Sequence, residues 1–279
     1  MRVRSRPAVL AWAAALACLT ALSAGAQSYD VPYVPTPQVV VDEMLRVAQV
    51  TRGDFVVDLG SGDGRIPITA AVYFGARALG IDIDPGRIKE SNANAREANV
   101  IGRVEFVNAN LFDVDISRAT VVTMYLLPDL NLKLRPRLFA TLKPGTRIVS
   151  HDFHMGDWKP DRALTVQKTI YYWVIPAAIA GRWKLEANLP GVGSRSYALE
   201  VRQKYQEIDA LARAEGRNYA LWETRLEGDR LSFILIDNEL AHRFEGRVRD
   251  NAIEGVARTG AGTAETETAF RAIRIGNIL

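Results

Sequence analysis

The chain has 279 residues, of which 48% are hydrophobic and 24% charged, so it can bury one large core or two modest ones. It contains 35 Lys and Arg residues, 32 Asp and Glu residues and one cysteine. One cysteine excludes a disulfide scaffold within the chain, and so small an excess of positive charge gives no indication of nucleic-acid binding.

Residues 1–26 have the pattern of a Sec-type signal peptide. Three arginines lie among the first six residues, an apolar run follows at 8–22, and the small residues 24–26 fit a cleavage site. The apolar run of roughly 15 residues is shorter than the ~20 that cross a bilayer, which favours cleavage over a retained membrane anchor. A lipid attached to Cys18 is a further alternative, although the residues before it fit the lipoprotein pattern poorly.

Cleavage after residue 26 would place the mature chain in the periplasm or outside the cell. It would remove three arginines and no acidic residue, which leaves equal numbers of basic and acidic side chains. It would also remove Cys18, so no thiolate would remain for a metal or for catalysis. We therefore expect an exported, thiol-free protein without an integral membrane span.

Residues 27–178 are predicted to form an α/β domain. Short apolar runs alternate with amphipathic stretches, which favours a Rossmann-like, open parallel sheet with helices on both faces. The predicted strands are 54–59, 77–83, 104–108, 120–125 and 147–152, and the predicted helices are 65–73, 85–99 and 129–142. A further strand, 169–175, is assigned either to this sheet or to the region that follows.

Residues 179–279 have a different pattern, and the boundary is placed near Ala178. Runs rich in β-branched and aromatic residues, separated by turn signals, predict an antiparallel β-rich domain that is closed or partly closed into a barrel. The predicted strands are 183–187, 197–202, 219–225, 231–236, 243–248, 252–257 and 269–275. Residues 204–214 fit either a helix or a strand.

The strongest motif is the run Val57-Asp-Leu-Gly-Ser-Gly-Asp-Gly-Arg-Ile66, in which a predicted strand enters a glycine turn and then a helix. Glycine permits a sharp turn and close approach of the backbone to a ligand, and the helix N-terminus offers N–H groups to a carboxylate. Asp58 is suited to binding an ammonium group. The spacing differs from the G-x-G-x-x-G pattern of dinucleotide sites, which argues against an NAD-dependent oxidoreductase. The expected loop contacts are Gly60, Ser61, Gly62 and Gly64.

A second motif, Gly80-Ile-Asp-Ile-Asp-Pro85, ends the second predicted strand. Asp82 follows the glycine turn by about 20 residues, where an acidic side chain commonly holds a ribose diol. Ile83 is expected to pack against an attached base. Asp84 is expected to cap the helix that begins at Pro85.

Together with the run Phe106-Val-Asn-Ala-Asn110, these motifs resemble those of class I S-adenosylmethionine (SAM) methyltransferases, over about half of the chain. The resemblance implies that SAM is the cofactor, that Asp58 and the glycine loop bind its amino-acid part, and that Asp82 binds its ribose. It also implies that Ile83 packs on the adenine ring and that Asn110 meets the adenine amino group. A plain turn residue is the alternative role of Asn110.

Three further runs are similar to one branch of that family, the mitochondrial ATP-synthase c-subunit lysine methyltransferases and their bacterial relatives. These runs are Val31-Pro-Tyr-Val-Pro-Thr36, Leu126-Leu-Pro128 and Ser150-His-Asp-Phe-His-Met-Gly-Asp-Trp158. The chain differs at Ile81-Asp82, where the mitochondrial group is expected to carry Tyr-Glu. The resemblance implies methyl transfer to an acceptor, for which a protein lysine amine or a small molecule are candidates.

Methyl transfer depends on proximity, alignment and a dry pocket more than on a strong general base. We expect the acceptor pocket beside the end of the fourth strand, where Tyr125 and Pro128 are the candidates for catalytic contacts. Its candidate walls are Tyr33, Thr36, Phe153 and Trp158, and Thr36 is also predicted to face the cofactor.

His151 and His154 flank Asp152, which raises a metal hypothesis. Alternating strand positions would turn the two imidazoles apart, so a structural or pocket-lining role is favoured and no metal is predicted. The alternative to a methyltransferase is an exported, non-catalytic nucleoside-binding or interaction protein that acts through its β-rich tail.

Overall fold

The computed structural model describes residues 33–260 and 265–277, so the predicted signal peptide lies outside the described residues. Within the described ranges, no helix is long and apolar enough to cross a membrane. The first elements are α1 (Gln38–Val47), β1 (Phe55–Leu59), α2 (Arg65–Phe74), β2 (Arg77–Asp82), α3 (Pro85–Glu97), β3 (Val104–Asn108), β4 (Val121–Met124), α4 (Pro128–Thr141), β5 (Arg147–His151), β6 (Arg162–Val166) and β7 (Lys168–Val174). The remaining strands are β8 (Gly181–Leu189), β9 (Gly193–Lys204), β10 (Glu207–Ala214), β11 (Arg217–Glu227), β12 (Arg230–Asp237), β13 (Leu240–Arg249), β14 (Ala252–Thr259) and β15 (Thr266–Gly276).

Strands β1 to β7 form one sheet in the order β3-β2-β1-β4-β5-β7-β6. β1 to β5 pair in parallel, whereas β7 runs antiparallel to both of its neighbours. The five strands predicted for the parallel sheet are therefore parallel, and the antiparallel strand β7 extends the sheet beyond them. Only Gln167, with φ 61°, separates β6 from β7, and so short a connection permits a hairpin but no parallel crossover. The predicted strand 169–175 belongs to this sheet.

The predicted layers are confirmed, because helices cover both faces of the sheet. On one face, α1, α2 and α3 bury apolar side chains such as Met44, Ile66 and Ala95 against alternate strand residues. On the other face, Leu134 of α4 packs with Trp158 and Trp173 over the remaining strand residues. This alternation follows from the period of two along a strand, which sends successive side chains to opposite faces.

Strands β8 to β15 form a closed antiparallel barrel. The sequence predicted a closed or partly closed barrel, and the closed form is present. The last strand, β15, pairs with β8, and β9 pairs with β10, which closes the ring. Its interior buries many apolar side chains; Phe233 and Phe244 stack with centroids 4.7 Å apart, and Phe270 meets Phe244 edge-on at 5.1 Å. Closure pairs every strand on both sides and leaves no free sheet edge.

Of the ambiguous residues 204–214, Lys204 ends β9, a turn follows, and Glu207–Ala214 form β10, so the helix alternative is wrong. In β10, Ala212 and Ala214 are buried while Asp209 and Arg213 are exposed, which is the period of a strand. Alanine favours a helix locally, but here the pairing of β10 with β9 and β11 decides the structure.

The barrel is joined to the sheet region through the turn between β9 and β10. Tyr205 in this turn packs on Phe139 and Trp158, with ring centroids 5.5 and 5.9 Å away. Trp158 donates from Nε1 to Oε1 of Gln206 at 2.8 Å. Trp158 is completely buried at this junction, which explains why an apolar residue stands there.

A second contact shows which edge of the sheet the barrel covers. Gly228, between β11 and β12, lies against the backbone of Gly145, just before β5 begins. The carbonyl of Gly228 also accepts a hydrogen bond of 2.8 Å from the backbone N–H of Ala177. The barrel therefore abuts the sheet where β5 starts, at the edge opposite to the carboxyl ends of the parallel strands.

Candidate active site

The carboxyl ends of four neighbouring parallel strands meet at one edge of the sheet. In the pairing register, Leu59 of β1 lies beside Ile81 of β2 and Met124 of β4, and Met124 lies beside Ser150 of β5. The residues that follow these positions are the glycine loop, Asp82, Tyr125 and His151. Ligands of open α/β sheets bind at this edge, so the fold brings most of the predicted site residues together.

The glycine loop between β1 and α2 needs its glycines. Gly60, Gly62 and Gly64 have φ values of 81°, 52° and 82°, which lie in the left-handed region that disfavours other residues. A Cβ atom at Gly64 would lie 2.6 Å from Cζ of Phe106, and one at Gly62 would collide with the ring of Tyr33. Glycine at these positions therefore permits both the left-handed turn and the close packing of Phe106 and Tyr33 against the loop.

Asp82, the predicted ribose ligand, is directed at the glycine loop. Its Oδ2 accepts a hydrogen bond of 2.8 Å from the N–H of Gly62, and its Oδ1 accepts one of 2.9 Å from the N–H of Asp84. A carboxylate oxygen has two lone pairs, so both oxygens can still accept a hydroxyl proton. The side chain of Asp84 accepts a hydrogen bond from the N–H of Gly86, which confirms its predicted role as the N-cap of α3.

Asp58 is buried without a counter-charge among the described residues that contact it. Its Oδ1 accepts a hydrogen bond of 2.7 Å from the hydroxyl of Thr123. Burial raises the pKa of this carboxyl to about 8, the Thr123 hydrogen bond opposes the rise, and the charges of Asp82 and Asp63 add to it. A buried carboxyl in this state is completed by a ligand that brings a positive charge, such as an ammonium group.

A second unsatisfied group lies in the same loop. The Oγ atom of Ser61 is buried and has no hydrogen-bond partner within the described residues. Buried polar atoms are nearly always paired, so an orphan hydroxyl beside Asp58 is a mark of a binding site. Ser61 and Asp58 thus fit the amino-acid part of SAM on the chemistry of the donor set alone.

Residues 33–37 form a strap that crosses the glycine loop. The ring of Tyr33 covers Gly62, and the guanidinium of Arg87 stacks on that ring at 3.9 Å. Arg65, paired with Asp63 at 2.6 Å, donates from Nη1 to the carbonyl of Thr36 at 2.9 Å. The structure places Tyr33 over the cofactor loop rather than in the acceptor wall that the sequence suggested.

Aromatic rings line the carboxyl-end edge of the sheet beside β4 and β5, where the sequence predicted the acceptor pocket. Tyr125, which follows β4, lies 4.0 Å from the ring of His151 and 6.0 Å from the ring of Phe153, measured between centroids. The turn that carries Phe153 is held by Ser150, whose hydroxyl donates to the carbonyl of Phe153 at 2.7 Å, and by Asn131, whose amide donates to the same carbonyl at 3.2 Å.

Not every predicted residue reaches this side of the site. Trp158 is buried at the junction with the barrel, where it packs on Phe139 and Tyr205. Pro128 is exposed at the start of α4, three positions after Tyr125, and stays a prediction. Thr36 does reach it, because its hydroxyl lies 3.1 Å from Nδ1 of His151.

The adenine-binding residues remain predictions. Ile83 is half-buried, and Asn110 is exposed in the turn after β3, where its Oδ1 accepts a hydrogen bond of 3.0 Å from the N–H of Phe112. The turn role expected as the alternative for Asn110 is therefore present. This leaves one lone pair of Oδ1 for an adenine amino group.

The histidine pair does not converge. His154 is exposed and its Nδ1 accepts a hydrogen bond from the N–H of Gly156, whereas His151 is buried and faces Thr36. Asp152 between them has φ 65°, which turns the chain. Across residues 33–260 and 265–277, no group of three His, Cys, Asp or Glu side chains is arranged to hold a metal.

Sequence reasoning missed Arg65 and Arg87 as parts of the site. Arg65 directly follows the glycine loop, so its position was a usable signal. Arg87 lies in the first turn of α3, and its contact with Tyr33 spans more than fifty positions, which no local pattern reveals.

Comparison with known proteins supports the same conclusion. Residues 58–162 match the family model of the ANTKMT methyltransferase domain. A protein-lysine N-methyltransferase of Saccharolobus islandicus is 50% identical over 151 residues, which is 52% of this chain and 94% of that protein. The chain belongs to the ANTKMT methyltransferase family.

Other relatives of this methyltransferase agree. The mouse lysine N-methyltransferase of the ATP-synthase c-subunit is 32% identical over 130 residues, and the chain spans 52% of its length. A crystal structure described as an RNA methyltransferase of Salinibacter ruber with bound S-adenosyl-L-homocysteine is 56% identical, with a TM-score of 0.52, and the match covers 52% of this chain and 96% of that one. The family match ends at residue 162, before the barrel begins at Gly181.

The protein is therefore a SAM-dependent methyltransferase, and the non-catalytic and oxidoreductase alternatives are set aside. When bound, SAM supplies an activated methyl group on a sulfonium centre. In this chain, Asp58 and the free hydroxyl of Ser61 would hold the amino-acid part, and Asp82 would hold the ribose hydroxyls. The edge between the glycine loop and Tyr125 is where an acceptor would be aligned.

Proposed function

We propose that this methyltransferase modifies the side-chain amine of a protein lysine. The proposal is supported by the archaeal and mammalian relatives, which are named as lysine N-methyltransferases. It is also supported by the aromatic wall of Tyr125 and Phe153 beside the glycine loop. That wall is the observation that carries the proposal.

An aromatic wall suits a lysine for two reasons. The methylene stem of lysine packs on ring faces, and its ammonium is attracted to the electron-rich face of an aromatic ring. A dry pocket then favours loss of the proton, because burial disfavours the charged form of an amine. The chain has to orient the neutral amine and exclude water, which does not require a strong general base.

The test is an acceptor search with methyl-labelled SAM. The purified chain is incubated with a periplasmic extract, a cytosolic extract and lysine-containing peptides, and labelled proteins are mapped by mass spectrometry. We expect mono-, di- or trimethyllysine on a discrete set of proteins, and no label with the Asp82→Ala variant. Label on other residue types, or on small molecules alone, would contradict the lysine assignment.

A second acceptor class is favoured by one observation. The relative from Salinibacter ruber is described as an RNA methyltransferase and is 56% identical. RNA binding depends on clustered positive charge, whereas removal of residues 1–26 would leave equal numbers of basic and acidic residues here. Adding total RNA to the labelling assay separates the two classes, since RNA methylation would give ribonuclease-sensitive label.

We also propose that the enzyme acts outside the cytosol. The proposal rests on the signal-like residues 1–26 and on the absence of cysteine from the rest of the sequence. N-terminal sequencing of the protein from a periplasmic fraction should begin near Gln27. Recovery in the cytosol with residue 1 intact would overturn it.

A further inference from the structure

His151 is a buried titratable residue at the end of β5, beside the candidate site, and methyl transfer as described above assigns it no role. Its side chain is 1% exposed, its Nδ1 lies 3.1 Å from the hydroxyl of Thr36, and its ring lies 4.0 Å from that of Tyr125. Its Nε2 has no hydrogen-bond partner within the described residues. Burial lowers the pKa of this imidazole, so the ring is neutral at physiological pH.

The contacts of Thr36 give this histidine a special position. Thr36 belongs to the strap formed by residues 33–37. Arg65 donates a hydrogen bond to the carbonyl of Thr36, and the ring of Tyr33, in the same strap, covers Gly62. Both contacts tie the strap to the glycine loop, at Gly62 and at Arg65 directly after it. The hydrogen bond between Thr36 and His151 therefore joins the strap over the cofactor loop to β5, on the acceptor side.

We propose that His151 is a positioning residue that couples the two halves of the site. Its Nδ1 holds Thr36 and thereby the strap over the glycine loop, while its ring face supports Tyr125 in the acceptor wall. The inference concerns methyl transfer itself and does not depend on whether lysine is the acceptor.

The two roles use different parts of one side chain, so they can be separated by substitution. His151→Phe keeps a ring for Tyr125 but has no group to bond Thr36. His151→Asn keeps a polar atom near the position of Nδ1 but has no ring. Thr36→Val removes the same hydrogen bond from the other side at nearly constant volume.

The experiment measures SAM affinity by calorimetry and acceptor kinetics for the full chain and these variants. We expect Thr36→Val and His151→Phe each to weaken SAM binding about threefold to tenfold, as for the loss of one hydrogen bond. The double variant should lose no more than either single one, because both remove the same contact. His151→Asn should keep SAM affinity but raise KM for the acceptor or lower kcat.

Hydrogen exchange of the strap gives a readout that does not depend on activity. A peptide covering residues 33–42 includes the N–H groups of Val40 and Val41, which donate to the carbonyl of Pro37 at the end of the strap. It should exchange faster in Thr36→Val and His151→Phe, and at the wild-type rate in His151→Asn. Additive losses in the double variant would overturn the proposal. So would unchanged strap exchange in Thr36→Val, the mildest variant and the one best able to fold.

Discussion

Asp58 on β1 accepts a hydrogen bond of 2.7 Å from the hydroxyl of Thr123 on the neighbouring strand β4, and no cation among the described residues neutralises it. The pair lies directly below the glycine loop. Its carboxyl has a pKa raised to about 8, chiefly by burial, so at neutral pH it is mostly protonated in the absence of the cofactor. Cofactor binding should therefore be accompanied by release of the proton from Asp58.

The first prediction is that SAM binding releases close to one proton at pH 7. The ammonium of SAM favours the ionised carboxyl, so the proton on Asp58 leaves when the cofactor enters. Calorimetric titrations in phosphate and in Tris should give different apparent enthalpies, in proportion to the buffers' ionisation enthalpies. In Asp58→Asn, which cannot lose a proton there, residual binding should have the same enthalpy in both buffers. Identical enthalpies for the wild type would contradict the prediction.

The second prediction concerns stability without cofactor. In the unfolded chain, Asp58 has its ordinary pKa of 3.8, whereas in the folded chain the pKa is about 8. Between these values the folded state holds a proton that the unfolded state has lost, so the free energy of unfolding falls as pH rises. Urea unfolding from pH 5 to 8 should show this decline in the wild type and a weaker one in Asp58→Asn. At pH 8 the variant should be the more stable protein, although it binds SAM poorly.

The third prediction tests the glycine loop. Gly62→Ala forces a side chain into a left-handed conformation and into the ring of Tyr33. An alanine in that conformation costs about 1–2 kcal/mol, and displacement of Tyr33 adds to it, so SAM affinity should fall at least about tenfold. Gly102→Ala is the matched control, because nothing lies within 4 Å of a Cβ there. Equal SAM affinity in the two variants would contradict the prediction that SAM binding requires glycine at position 62.

Local patterns predicted the strand–loop–helix units that carry the glycine loop and Asp82. The run from Val57 to Ile66 and the acid at Asp82 are read within single strand–loop–helix units, where sequence neighbours are also neighbours in space. The strand register then places these units side by side without further information. The acceptor half is different, because the bond between Thr36 and His151 joins residues 115 positions apart.

The parts of the fold that the sequence left open or did not reveal have the same origin. Residues 204–214 contain several alanines, which favour a helix locally, but closure of the barrel pairs them as β10. Strand β6 (Arg162–Val166) is largely exposed and has little apolar patterning, so only its pairing with β7 defines it. Non-local pairing decides both cases, and a single sequence does not display it.

The last prediction concerns the junction between the barrel and the sheet. Tyr205→Ala removes the ring that packs on Phe139 and Trp158, and for a half-buried aromatic side chain we expect a loss of about 1–3 kcal/mol in the free energy of unfolding. SAM affinity should stay at the wild-type value, because the barrel abuts the edge opposite to the glycine loop. Trp222→Ala, an exposed position on the barrel, is the control and should change stability by no more than about 0.5 kcal/mol. If Tyr205→Ala weakened SAM binding in a protein that is still folded, the prediction would be wrong. The barrel would then be coupled to the cofactor site through the sheet.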